Sequence, residues 1–199
     1  MRVGLALLRV TVGSLFMGHG LQKLAGWFRG HGLEATGQAF ESMGLRPGRV
    51  HASAAGVSET AGGALVAAGL LTPLGSAMLS GTMITAIRKV HAANGPWAAE
   101  GGYEYNLVLL AVLFAINDVG PGELSLDERL GIRRAGPGWA IAELAAGAIG
   151  STAVLAIAER QPAPEAAPAV PQPVAGDTMS EGAAGAPPAP PNGGQAVSA

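Results

Sequence analysis

The feature that most constrains this chain is a series of apolar stretches, each close to the length of a bilayer crossing and most with a charge inside. A helix rises about 1.5 Å per residue, so about 20 mainly apolar residues cross the hydrocarbon core. Five segments approach that length: about Val3–Leu24, His51–Leu71, Pro73–His91, Tyr103–Asp118 and Trp139–Ala158. The fourth, with NLVLLAVLFAIND, is the most strongly apolar, and the fifth is Ala/Gly-rich with Glu143 inside it. Period-two alternation is absent and the runs are too long for strands. Lipid offers no partner to a free backbone N–H or C=O, so the segments are expected to be helices. The expected fold class is all-α: an integral membrane four-helix bundle with a fifth transmembrane helix.

Composition agrees. Charged residues are 13% of the chain and hydrophobic ones 49%, against roughly 25% charged in soluble domains. The last 39 residues, 161–199, hold 9 of the 14 prolines and no long apolar run, which predicts a disordered Pro/Ala-rich tail. The expected organisation is a four-helix domain over 1–135, an additional apolar helix over 136–160 and the tail over 161–199. A net charge of −2 offers no clustered cationic surface for nucleic acid. The absence of cysteine excludes disulfides, thiolate metal sites and thiol redox chemistry carried by this chain. The N-terminus has a basic start and an apolar run, but Arg9 interrupts the run and no small-x-small site follows before Lys23. A retained first helix is expected there, not a cleaved signal.

The 31 glycines would weaken a soluble helical protein, whereas in a membrane they allow close helix approach. Ser14/Gly18, Ser58/Gly62, Ala77/Gly81/Thr85 and Gly147/Ser151 have the four-residue spacing of such seams. Thr72 and Pro73 alone join the second and third segments, so these form an antiparallel hairpin, with Pro in a first turn where its missing N–H costs nothing. The connection 25–50 contains Trp27, Phe28, Phe40 and three arginines, a composition suited to an interfacial amphipathic helix. Trp27 and Trp97 read as interface anchors.

Alternating helix direction assigns each helix end to a face: face A holds the N-terminus and face B is opposite. His19 and Lys23 lie at the B end of the first helix, one turn apart. Glu59 lies eight residues into the second, about 12 Å from face B. Arg88, Lys89 and His91 close the third; Glu104, Tyr105 and Asn106 open the fourth. A charge inside a membrane helix costs about 2.5–3.5 kcal/mol on insertion scales, so Glu59 is expected to face the interior with Lys23, Arg88 or Lys89 as its cation. His19, Lys23, Glu59, Arg88, Lys89, His91, Glu104 and Asn106 form the candidate polar pocket. The blander reading is snorkelling, which Arg88 and Lys89 do easily. On face A, Arg9 is expected to pair structurally with Asp118, with Asn117 adding a hydrogen bond. Charge counts on the two faces tie once the pocket cations are set aside, so orientation does not follow.

The segments GLALLRVTVGSLFMGHGLQKLAGWF, SETAGGALVAAGLLTPLGS and NLVLLAVLFAINDVGPGELSLDERLG resemble the DoxX family of bacterial membrane proteins over about residues 1–131. The most specific pieces are His19-Gly20-Leu21-Gln22-Lys23-Leu24, Glu59 followed by Gly62-Gly63, and Gly120-Pro121-Gly122 followed by Ser125-Leu126-Asp127. The resemblance implies a four-helix unit in the bacterial inner membrane. It also implies association with a thiosulfate:quinone oxidoreductase in one branch and with oxidative-stress and thiol-defence complexes in others. The fifth segment and the tail depart from the family pattern.

Several functions are open on this reading. The first is a non-catalytic membrane subunit or scaffold of a redox or stress-defence complex, docking a soluble or membrane redox partner through face B or the tail. The second is a quinone-interacting subunit, with His19 or Lys23 as donor, Glu59 as proton relay, and Tyr105 or Trp97 against the ring. A small transporter or proton pathway through Glu59 is the third; four or five helices are few for it unless the chain forms a homo-oligomer. A haem fits poorly, because His51 and His91 lie at helix ends. No metal site is expected.

Overall fold

A computed structural model describes residues 3–161; the tail expected to be disordered lies outside the described residues. The chain is all-α: α1 (Val3–Ala25), α2 (Gly32–Ser42), α3 (Gly48–Ala68), α4 (Thr72–Ala86), α5 (Glu104–Val119), the single turn α6 (Leu126–Arg129) and α7 (Pro137–Glu159). No strand occurs among the described residues. The connection 25–50 does contain a helix, α2, and α4 runs on into a π-helical turn at Ile87–His91. Among the described residues α1 and α7 are long and apolar enough to cross a membrane.

Polarity is distributed inside out. Among the described residues twelve polar or charged side chains are buried, as many as the twelve hydrophobic ones. Leu7, Leu15, Val57, Leu74, Val108 and Ile149 point outward instead. Water would penalise that arrangement, while lipid favours it, since apolar side chains lose nothing by facing acyl chains.

Small residues set the packing. Gly13 lies against Gly63 and Ala67, and Gly20 against Gly56 and Thr60, so α1 and α3 run antiparallel with their backbones nearly touching. The expected Ser14/Gly18 seam is on the wrong side: Ser14 is exposed and Gly18 faces open space. Gly13 and Gly20, two turns apart, are the residues that align with the α3 glycines. The α3–α4 hairpin closes through Gly62 against Gly75. Helices α4 and α7 run parallel, in contact at Gly81 and Gly147, and the Thr85 and Ser151 hydroxyls meet there at 2.9 Å. Val12, Phe16, Val66, Leu79, Leu109, Leu113 and Ile116 fill the space between α1, α3, α4 and α5.

Face A is tied by polar groups. Gly69 (φ +64°) ends α3 and Leu71 (φ +45°) precedes α4, and a bulky residue at positive φ is strained. Asp127 holds this turn: its carboxylate accepts the Leu71 N–H (2.7 Å), the Thr72 N–H (3.0 Å) and the Thr72 hydroxyl (2.8 Å). Its own N–H donates to the Gly69 carbonyl at 2.8 Å. Arg9, 1% exposed, donates to the carbonyls of Val66 (3.3 Å), Ala67 (3.2 Å) and Leu124 (2.8 Å). The expected Arg9–Asp118 pair does not form. Asp118 is exposed at the end of α5, whose Ile116 and Asn117 take the inward positions, and the carboxylate facing Arg9 is Asp127. Asn117 instead donates to the Leu113 carbonyl at 2.8 Å.

Two outcomes follow for unfolding in detergent, followed by circular dichroism. Asp127→Ala leaves two N–H groups and a hydroxyl without their acceptor and lowers stability by about 3 kcal/mol. Gly18→Ala raises stability by about 0.5–1 kcal/mol through helix propensity, whereas Gly63→Ala lowers it by about 1–3 kcal/mol by forcing α1 and α3 apart.

Candidate functional site

The α1–α3 glycine seam leads to face B. One turn beyond Gly20, Lys23 reaches across to α3 and its Nζ lies 2.5 Å from Glu59 Oε2. The Glu59 side chain is 6% exposed and that of Lys23 24%, so the pair sits at the edge of the protein interior. Without the close backbone approach at Gly20 and Gly56, this four-carbon side chain would not reach a carboxylate on the neighbouring helix. Lys23 also donates to the His19 carbonyl at 3.4 Å.

The pair forms part of the wall of a cavity of about 490 Å³. Helices α1, α3, α4 and α5 enclose it, Gly150, Ser151 and Val154 of α7 complete one side, and Phe40, Met43 and Leu45 cover its face-B end. That cover is anchored, because Leu45 packs with Leu155 and Ala158 of α7. The lining is mainly apolar, with Phe16, Met78, Met83 and Leu109 on the α1, α4 and α5 walls. A mainly apolar cavity with a few convergent polar groups, in the range of about 300–1,000 Å³, is the usual form of a small-molecule site.

Of the eight pocket residues expected from the sequence, His19, Lys23, Glu59, Lys89, His91 and Asn106 line this one cavity. Arg88 and Glu104 do not. Successive residues of a helix point about 100° apart, so with Lys89 turned inward Arg88 turns away, donating to Thr152 Oγ1 at 3.1 Å. Glu104 is exposed and accepts the Ala98 N–H at 3.0 Å, fixing the loop before α5. Glu59 is therefore paired by Lys23 alone, and Lys89 has no ion-pair partner among the described residues. His91 is held through Nδ1, 2.7 Å from the Gly101 carbonyl, and Asn106 through Nδ2, 3.4 Å from Met83 Sδ. Sequence reasoning had not placed His51 in the pocket. It is 6% exposed, with Nε2 2.9 Å from the Arg46 carbonyl; its position with the other face-B histidines was the available signal. Thr82, Thr85 and Ser151 on the far wall were not expected in the pocket; the small-residue spacing placed Thr85 and Ser151 at a helix seam, and Thr82 carried no signal. Among the described residues no three His, Asp or Glu side chains come together as a metal site.

An apolar exterior, polar residues turned inward and a lined cavity at one end define a helical membrane protein with an internal cavity. Comparison with known proteins agrees: the DoxX family model matches residues 4–92. A Bacillus subtilis (strain 168) protein named "Putative oxidoreductase CatD" is 34% identical over 125 residues, covering 63% of this chain and 85% of that protein. The chain belongs to the DoxX family. No solved structure matches it.

Lys23→Met leaves Glu59 buried without its cation and lowers stability by about 2–3 kcal/mol, near the lower end for such pairs because Lys23 is partly solvated. Lys23→Met combined with Glu59→Leu recovers most of that loss. A double-variant loss equal to the sum of the Lys23→Met and Glu59→Leu losses, read from unfolding curves in one detergent, would show that the pair is not coupled.

Proposed function

We propose that this protein is a multi-pass subunit of a redox system in the bacterial cell membrane, and that its face-B cavity binds a small lipid-soluble ligand of the quinone class. The cavity carries this reading, because six polar side chains from α1, α3, α5 and the turn after α4 converge on a mainly apolar space. A quinone matches that chemistry: its ring and tail suit the apolar walls, and its carbonyl oxygens accept hydrogen bonds from Asn106, Lys89 or a histidine. Reduction adds two electrons and two protons and turns both carbonyls into hydroxyls. The Lys23 ammonium, hydrogen-bonded to Glu59, can supply one of those protons. Electrons would come from a partner protein, since a chain without cysteine has no thiol of its own to oxidise. The relative's name points the same way. Helix α7 belongs functionally to the bundle on this reading, because Ser151 and Val154 are part of the wall.

The scaffold reading has its own support on face B. Trp27 and Phe28 are exposed and pack edge to face beside the cavity's cover, offering an anchor for a docked partner or for headgroups. Ligand analysis separates the two. Mass spectrometry of the detergent-purified protein should show a co-purified quinone, with occupancy falling at least tenfold in Lys23→Met and Asn106→Leu. A partner chain recovered with no quinone, and unaffected by either substitution, would favour the scaffold.

A further inference from the structure

Away from the charged end of the cavity, one ionisable side chain is enclosed with no opposite charge beside it. Glu143 of α7 is 2% exposed. Its Oε2 accepts a hydrogen bond from the Ser80 hydroxyl at 3.0 Å, and its Oε1 has no partner among the described residues. The parallel register of α4 and α7, fixed where Gly147 meets Gly81, puts the Glu143 backbone between the levels of Ser76 and Ser80, both fully buried. No cation can reach it from the helices packed there. Helix α4 has no ionisable residue from Thr72 to Ala86, α5 has none from Asn106 to Asn117, and α7 has none from Pro137 to Ala158 apart from Glu143 itself. An ionised carboxylate without a counter-ion in such surroundings costs several kcal/mol, and the group escapes that cost by keeping its proton. Glu59 is the contrast, equally buried but paired with Lys23.

The seam that encloses Glu143 also leads to the cavity. Ser80 lies between Ala77 and Gly81, both of which line the cavity, and the hydrogen-bonded Thr85 and Ser151 hydroxyls line it one turn further on. The rise from Ser80 to Thr85 is about 7.5 Å, and the Gly81–Gly147 contact lies between the two levels, so a proton crosses it when the seam opens enough to admit a water. We propose that Glu143 is a proton-carrying group: a neutral carboxylic acid whose proton exchanges with the cavity along the α4–α7 seam, through Ser80 and the Thr85–Ser151 pair. Its use in quinone chemistry rests on the reading above. There, two electrons from a partner reductase and two protons convert the quinone to the quinol. Lys23 gives one proton and Glu143 the other, and both regain theirs from water.

The neutral acid and its exchange can be tested without any quinone. Dicyclohexylcarbodiimide enters lipid and reacts with protonated carboxyls: the acid's proton moves to a carbodiimide nitrogen, and the carboxyl oxygen bonds to the central carbon. The adduct therefore carries the whole mass of the reagent. Peptide mapping of the full chain at neutral pH should find it on Glu143 and not on Glu59. Infrared spectra should show the carbonyl band of a protonated acid at neutral pH, absent in Glu143→Gln, which keeps an acceptor for Ser80. That band should shift in D2O, and the shift should slow at least tenfold in Thr85→Val/Ser151→Ala. A spectrum without the acid band, or a band that persists in Glu143→Gln, overturns the neutral acid. A shift rate unchanged in the double variant overturns the connection to the cavity. If the acid band and its exchange are found but no quinone is, the ligand reading fails and the proton-carrying group stands.

Discussion

A carboxylate inside a membrane protein needs a cation within reach, and the Lys23–Glu59 pair meets that need through backbone approach. Lysine has a fixed length, so α1 and α3 must come close before Nζ can reach Oε2 at 2.5 Å. Only helices with glycine at their crossing points approach so closely. Gly13, Gly20, Gly56 and Gly63 therefore serve electrostatics as much as packing. The same approach determines where the cavity can open. Helices pressed together along their length leave no room between them, so the cavity opens beside that pair, toward α4, α5 and α7.

The two ends of the bundle use polar residues differently. On face A, Arg9 and Asp127 spend their hydrogen-bonding capacity on backbone groups: helix-terminal carbonyls, the strained turn at Leu71 and the loop carrying Leu124. Such groups become rigid and offer little to a ligand. On face B, Lys89 has no anion among the described residues, His91 is held at the Gly101 carbonyl and Asn106 at Met83 Sδ, and all three reach the same space. One end is tied to backbone groups, and the other turns its donors toward the cavity. That asymmetry is what the proposed ligand site at face B rests on.

Helix α7 does more than add another apolar segment. It meets α4 at a glycine pair and brings Glu143, Ser151 and Val154 to the back of the bundle, where Ser151 and Val154 complete the cavity wall. Its outer surface, including Ile141, Ile149 and Ile157, is exposed and apolar. A helix so divided, polar toward the bundle and apolar away from it, suits a place at the lipid boundary.

Much of this was legible in the sequence, because in a membrane the chain's own composition dictates helices and their alternating directions. The all-helical fold, the α3–α4 hairpin, the helix in the first connection and the gathering of histidines at one face all follow from apolar length and polarity. The rest depended on rotation about each helix axis. Arg88 and Lys89 are neighbours in sequence yet point to different sides. Asp118 turns outward, leaving Asp127, nine residues later in the single turn α6, to face Arg9. Gly13 and Gly20 make the seam that Ser14 and Gly18 had equal claim to by spacing. Composition fixes that a helix forms and roughly where it ends, but which side it presents is decided by the neighbours it packs against, and only the tertiary structure supplies those.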